Sequence, residues 1–445
     1  MSVSPARLTA FNILLRVLRY DSYAQELLHS EHCADLSTAD MGLTTELVMG
    51  VLRWQAALDS AIAKWASQKI TKLDPEVLVA LRLGAYQLGW LDRIPTHAAL
   101  HESVELVKTA RKRSAVPFAN AILRRLSESR TQIKPDPIDS ASNATVLANI
   151  SSHPQWIVNR WVAAFGWDVA RKICQYDQRV PATTIRLRDG DAEKRLQKEE
   201  VTLAPGLLMN KARRILAGDV TATQAYRDNS IAIQDDASQL VAAMVGSGSR
   251  ILDCCAAPGG KTWAIADRNP RSLILAVEVH HHRAHLLKKR VTAPNVLVVN
   301  SDARTLPTNS HFDRVLVDAP CSGTGTLARN PEIKWRLTTS DLAELSARQG
   351  ELLKSAMEHV STNGRLIYAT CSLESEEGEN VIEGALRDNS KFRIASIGSI
   401  LQELVEQGEL VSENFTSLIR GEFLRTIPGI HDCDGFFAAA LERFR

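Results

Sequence analysis

Residues 250–262 read Arg-Ile-Leu-Asp-Cys-Cys-Ala-Ala-Pro-Gly-Gly-Lys-Thr. A short apolar run closes on an acid, two cysteines and a turn of small residues. The run predicts a buried strand, and Gly259-Gly260 predicts a tight turn where backbone can approach a ligand as a helix begins. The same rhythm continues outward, with short apolar runs at Leu273 to Val279, Val296 to Asn300, Arg314 to Asp318 and Arg365 to Thr370. Helical stretches separate most of them, which predicts an α/β doubly wound parallel sheet after about Gln234. Phe423 to Ile427 and Gly435 to Leu441 have no helix between them and read as an antiparallel edge.

In such a sheet a ligand binds outside the carboxyl ends of the strands, so the last residue of each strand matters most. The second run ends at Glu278, whose carboxylate can accept both hydroxyls of a ribose, and the third at Asp302, placed to meet an adenine amino group. With the turn from Cys255 to Lys261, these two acids suit a nucleoside cofactor. A dinucleotide fold would need G-x-G-x-x-G, which is absent here. Gly260-Lys261-Thr262 matches the end of a P-loop and Val315-Leu316-Val317-Asp318 resembles a Walker B strand, but position 255 is Cys where the P-loop needs glycine.

The fourth and fifth runs end in Asp318-Ala319-Pro320-Cys321-Ser322-Gly323 and Tyr368-Ala369-Thr370-Cys371-Ser372. In doubly wound order these strands are neighbours, so Asp318 and both thiols are expected at one rim. A lone cysteine is usually a small buried hydrophobe. Two at matching strand ends beside a carboxylate point to chemistry. No third and fourth ligand stands at suitable spacing, so no metal is expected. His280, His281, His282 and His285 read as the polar face of the next helix.

The 445 residues hold 53 basic and 51 acidic side chains with 45% hydrophobic content, as in a soluble multidomain protein. The near-neutral balance excludes a histone-like blanket of charge but not local basic patches. Seven cysteines without C-x-x-C spacing indicate reduced thiols and a cytoplasmic protein. No run reaches the roughly 18 apolar residues of a membrane helix, and Arg16 and Arg19 interrupt the N-terminal apolar stretch. Leu8, Phe11, Leu15 and Leu18 instead share a helical face, with Ser4-Pro5 as its start.

Four divisions are expected: an all-α bundle at 1–130, a linker at 131–150 rich in Pro, Ser and Asn, a small α+β subdomain at 151–222, and the doubly wound domain at 223–445. Between Lys108 and Arg125 lie six basic residues and no acid (Lys108, Arg111, Lys112, Arg113, Arg124, Arg125), either a solvated face or a surface for RNA phosphates. Arg329, Lys334, Trp335 and Arg336 form either a basic loop with one aromatic for base stacking or a surface loop with a buried tryptophan.

Phe312 to Gly323, Ala256 to Thr262 and Ala369 to Ser372 together resemble the signature motifs of the RNA cytosine-C5 methyltransferases of the Sun/Fmu type. Ile94 to Ala99 and Phe118 to Arg125 resemble the NusB-like domain fused to the bacterial small-subunit enzymes, and Asp434-Gly435-Phe436-Phe437 the closing strand. The resemblance implies a Rossmann-like class I S-adenosylmethionine-dependent methyltransferase domain, S-adenosylmethionine as cofactor, and a single-stranded or flipped cytosine of 16S ribosomal RNA as partner. No membrane is implied.

Carried over by motif, Cys255, Ala256, Ala257, Pro258, Gly259, Gly260, Lys261, Glu278, Asp302 and Asp318 would hold the cofactor. Cys371 would be the nucleophile and Cys321 the second thiol that helps release product, with Asp318 and Lys261 assisting. Glu278 replaces a common Asp; His280 replaces a common second acid, which puts any role for that residue in doubt; and Arg188 replaces a usual Asn, which puts a substrate contact there in doubt. Transfer RNA as substrate and a non-catalytic ribosome-assembly or antitermination factor remain the alternatives; two intact thiols argue against the second.

Overall fold

The computed structural model describes residues 3–20, 22–411 and 415–444. Two compact units result: Met1–Val180 with Leu327–Arg336, and Pro181–Thr326 with Leu337–Arg445.

The first unit is helical. Helices Pro5–Tyr20, Thr38–Arg53, Pro75–Trp90, Thr96–Thr109 and Val116–Glu128 enclose a core that includes Leu14, Leu47, Leu81, Leu106 and Leu123. Pro75–Trp90 is central, and Val77 to Gly89 is buried on every side, as a helix hydrophobic all round should be. Each large aliphatic side chain withdrawn from water here contributes about 1.5–3 kcal/mol.

The expected divisions at 131–150 and 151–222 do not coincide with these units. Ala144–Ile150 is a helix, and Asn143 accepts the Val146 N–H at 3.0 Å as its N-cap. The Ser/Asn cluster that reads as a linker is therefore in part a capping signal. Helices Gln155–Phe165 and Trp167–Asp177 also fall in the helical unit.

The second unit holds two sheets. The smaller comprises β1 (Thr184–Leu187), β2 (Thr202–Pro205), β3 (Ala212–Ala217) and β4 (Ile231–Ile233), in the order β2-β3-β1-β4 and antiparallel throughout. The larger contains β5 (Arg250–Asp253), β6 (Leu273–Glu278), β7 (Val296–Asn300), β8 (Phe312–Asp318) and β9 (Val360–Thr370) in the parallel order β9-β8-β5-β6-β7. On the far side of β9 come β13 (Phe436–Arg443), β12 (Phe423–Thr426) and β11 (Ile419–Arg420), all antiparallel. The short β10 (Phe392–Ile394) pairs with the end of β13.

Chain order reverses between β5 and β8, which makes their carboxyl ends the switch point of the sheet. Leu252, Val315, Val317, Leu366 and Tyr368 are fully buried beneath that rim, so the functional loops rest on rigid strands.

Candidate active site

After β5 the backbone turns through Cys254 to Gly259, with a cis peptide between Ala257 and Pro258, and enters helix Gly260–Arg268. Gly259 has φ +108°, and a Cβ there would lie 2.8 Å from the Leu287 and Val291 side chains. Only glycine lets the turn lie this flat. Asp253 is buried, and burial pushes its carboxyl up to about 7, although the Thr262 hydroxyl donates to it at 2.7 Å. It braces the turn from below.

A cavity of about 250 Å³ opens above this rim, and Cys255, Ala257, Lys261, Glu278, Asp302, Asp318, Cys321 and Cys371 all line it. The sheet thus brings together the acids and thiols singled out from the sequence. Ala256, Pro258, Gly259 and Gly260 complete the turn without lining the cavity. Glu278 is buried and accepts the His280 backbone N–H at 2.8 Å. Asp302 accepts from the Arg304 backbone at 2.9 Å and pairs with its guanidinium at 2.7 Å, which holds its carboxyl below the usual range. Such carboxylates at successive strand ends, beside a turn of small residues, fit the ribose and adenine of a nucleoside cofactor.

Lys261 reaches across to Asp318, Nζ to Oδ2 2.7 Å, with its ammonium 4.9 Å from the centre of the Phe436 ring. Burial opposes the lysine charge, but Asp318 outweighs it and the net shift is upward. Lys261 therefore stays cationic and holds the Asp318 side chain in place through their ion pair. Cys321 and Cys371 extend from β8 and β9, which run parallel with Asp318 opposite Ala369. Their sulfurs stand 3.3 Å apart. The contact with Cys371, together with burial, drives the Cys321 thiol well above its ordinary value and keeps it protonated. Burial likewise raises Cys255 and Cys254, which are inert thiols at the cavity floor.

Arg348 and Phe436 also line the cavity, though no sequence motif marked them for this site. Arg348 comes from helix Thr339–Glu358 and Phe436 from β13, so only the assembled sheet reveals them. Position within the Asp434-Gly435-Phe436-Phe437 motif was the one available signal for the second.

Two further groups of residues are engaged within their own units. Arg188 is spent inside the unit: its guanidinium pairs with Asp267 at 2.6 Å and lies 4.2 Å over the Trp263 ring. It tethers the smaller sheet to the helix after the turn. The basic loop at 329–336 belongs to the helical unit. There Lys334 is 1% exposed and donates to the Arg53 carbonyl at 3.0 Å, Trp335 donates to Leu52 O at 2.7 Å, and Arg336 donates to Val17 O and Ser22 O at 2.9 and 2.6 Å. Backbone acceptors draw these donors inward, so Trp335 offers no stacking platform with its indole N–H free.

The basic stripe of the helical unit is partly neutralised. Lys108 pairs with Glu105, Lys112 with Asp74 and Arg125 with Glu128, whereas Arg111, Arg113 and Arg124 are exposed and form no ion pair among the described residues. No helix of the described residues is long and apolar enough to cross a membrane.

Residues 243–442 match the family described as 16S rRNA methyltransferase RsmB/F, and residues 4–128 match the NusB family. Over 458 aligned positions the chain is 30% identical to a Bacillus subtilis (strain 168) protein named probable ribosomal RNA small subunit methyltransferase B, with 100% of both covered. The crystal structure of PH0851 shares the fold across 100% of both chains, with a TM-score of 0.81 at 23% identity. A methyltransferase homologue from Pyrococcus horikoshii gives 0.56 at 25% identity, over 68% of this chain and 99% of that one. With full-length identity to the first of these, a NusB-type bundle and a Rossmann-like sheet, the chain belongs to the RsmB/F family of small-subunit ribosomal RNA methyltransferases.

Proposed function

We propose that the protein transfers a methyl group from S-adenosylmethionine to carbon 5 of a cytosine in 16S ribosomal RNA. One observation carries this reading: two thiols 3.3 Å apart at the ends of adjacent parallel strands, opening on a cavity that also holds a Lys–Asp pair and the acids Glu278 and Asp302. Glu278, Asp302 and the Cys255–Lys261 turn would hold the cofactor, which supplies an electrophilic methyl group.

Carbon 5 of cytosine is too weak a nucleophile to take that methyl unaided. The Cys371 thiolate adds to carbon 6, the ring electrons move toward N3, and carbon 5 becomes enamine-like. Asp318, held in place by Lys261, accepts from the exocyclic amine and orients the ring. After methylation the carbon-5 proton must leave. As it goes, carbon 5–carbon 6 unsaturation returns and the sulfur departs as thiolate. Cys321, protonated at rest, serves this step by relaying the proton to a base.

Both faces of the ring must be reached, so the base is unstacked or flipped before reaction. Arg111, Arg113 and Arg124 of the helical unit are the side chains we assign to phosphate contact.

The test is a denaturant-resistant protein–RNA adduct on incubation with S-adenosylmethionine and 16S RNA. Cys321→Ala should accumulate it, and Cys321→Ala combined with Cys371→Ala should not. Methyl transfer by the wild type with no adduct in Cys321→Ala would mean the two thiol roles are wrongly assigned.

A further inference from the structure

Beneath the two thiols lies a carboxylate that the reaction does not use. Glu377 has no exposed surface, and among the described residues no basic side chain pairs with it. Three donors hold it instead. One oxygen accepts the Ser322 backbone N–H at 2.8 Å and Gln349 Nε2 at 3.0 Å, and the other accepts the Ser322 hydroxyl. Its backbone carbonyl accepts the Tyr368 hydroxyl at 2.9 Å and the Thr370 hydroxyl at 3.3 Å.

These partners belong to the two cysteine turns. Ser322 follows Cys321, and Gln349 Nε2 also donates to Pro320 O at 2.9 Å, so both neighbours of Cys321 are tied to this one centre. Ser322 Oγ stands 3.2 Å from Ser372 Oγ, the residue after Cys371, and Thr324 Oγ1 stands 3.3 Å from the same hydroxyl. Gly325 N–H donates to the Cys371 carbonyl at 3.0 Å. A buried carboxylate without a cation is costly unless several donors satisfy it, and such a centre allows few alternative arrangements of its partners.

We propose that Glu377 is a positioning residue of the two-thiol site, holding the Cys321 turn against the Cys371 turn through Ser322 and Gln349. It touches neither substrate nor cofactor. Its charge also adds to the forces that keep the Cys321 thiol protonated, which suits a group that must hand on a proton late in the cycle. The proposal rests on reading Cys371 and Cys321 as the working thiols.

A probe that needs no RNA separates the two ideas. A trivalent phenylarsenical binds two neighbouring thiols, forming two As–S bonds and releasing one water from the arsenoxide, so its capture reports sulfur–sulfur approach directly. Wild type and Glu377→Gln, which keeps acceptor and shape, should capture it equally within about threefold. Glu377→Ala should bind about tenfold or more weakly and lose at least about tenfold in kcat for methyl transfer, with the cofactor KM little changed. Recovery of kcat in Glu377→Gln supports positioning. Ser322→Ala removes only the hydroxyl contacts to Glu377 and Ser372 and covers the case that Glu377→Ala does not fold. Unchanged capture in folded Ser322→Ala and Glu377→Ala overturns the proposal. Loss of capture in Glu377→Ala, with a wild type that transfers no methyl group to 16S or transfer RNA, supports positioning and defeats the functional reading instead.

Discussion

Two lysines sit in clusters of nearly the same composition and behave in opposite ways. Lys261 of the sheet unit is surrounded by Asp318, Asp253 and Cys371; Lys334 of the helical unit by Asp177, Cys174 and Arg53. Lys261 has a carboxylate oxygen at 2.7 Å and a cavity in front of it, and its charge is reinforced. Lys334 donates to a backbone carbonyl, Asp177 does not outweigh its burial and the charge of Arg53, and its ammonium is pushed down to about 7. The neighbouring Cys174 is raised to about 12, chiefly by burial. Residue type therefore does not make a site. A lysine–aspartate–cysteine group at strand ends over a cavity is ready for a ligand, and the same group closed in a helical core is a fastening.

The largest expected effect tests the cysteines. Cys371→Ala should lose methyl transfer by about 10⁴-fold or more, as removal of a covalent nucleophile does. Cys174→Ala should leave kcat within about twofold in the same radiolabel-transfer assay. Comparable losses would erase the distinction drawn here.

Next come the lysines. Lys261→Met should cost about 10²-fold in kcat through the loss of an oriented Asp318, whereas Lys334→Met should remain active. The second variant should also be no less stable than wild type near pH 7, because an apolar side chain of similar length avoids burying a charge. A circular-dichroism melt beside the kinetic assay checks both.

A third expectation concerns pH. Lys334 drops from 10.5 to about 7 on folding, so between those values the unfolded chain holds a proton that the folded chain has released. Its burial penalty is complete below pH 7 and is relieved as pH rises, by at most about 1.4 kcal/mol per unit. Burial also holds His153 well below its ordinary 6.5, and the Lys334 charge adds to this. Stability should therefore fall again as pH drops below 6.5, where the unfolded histidine takes up a proton. Denaturant titrations of wild type and Lys334→Met from pH 5.5 to 9.5 should differ in slope above pH 7 and share the loss below 6.5. A parallel pair of curves would place the lysine shift elsewhere.

The smallest effect belongs to the surface. Arg111→Ala, Arg113→Ala and Arg124→Ala should each weaken RNA binding modestly and lower the salt dependence of log K by about 0.7–0.9. An unchanged slope would leave these arginines as solvated charges.

The sheet unit was legible because strand-end chemistry is local: Glu278, Asp302, Asp318 with Cys321, and Cys371 follow four successive apolar runs, and parallel order carries them to one rim. Arg348 and Phe436 were hidden because their elements reach the cavity only after folding. The helical unit was read well through Arg130 and poorly beyond. Asn143 looks like a loop residue until its capping bond is seen, and nothing in a Lys-Trp-Arg triplet signals that all three will donate into backbone carbonyls. Charge and burial are opposed at Lys334, and composition alone could not foresee that this lysine would be buried.

That fastened segment has a consequence for how the protein is made. Residues Leu327–Arg336 complete a unit whose other residues end at Val180, and residues 181–326 are synthesised in between. At bacterial elongation rates of roughly 5–20 residues per second, these 146 residues take on the order of ten to thirty seconds. Throughout that interval the carbonyls of Val17, Ser22, Leu52 and Arg53 await donors not yet translated. The N-terminal helices thus emerge first but cannot finish first. The strand that presents Cys321 must leave the ribosome before the bundle it follows is whole.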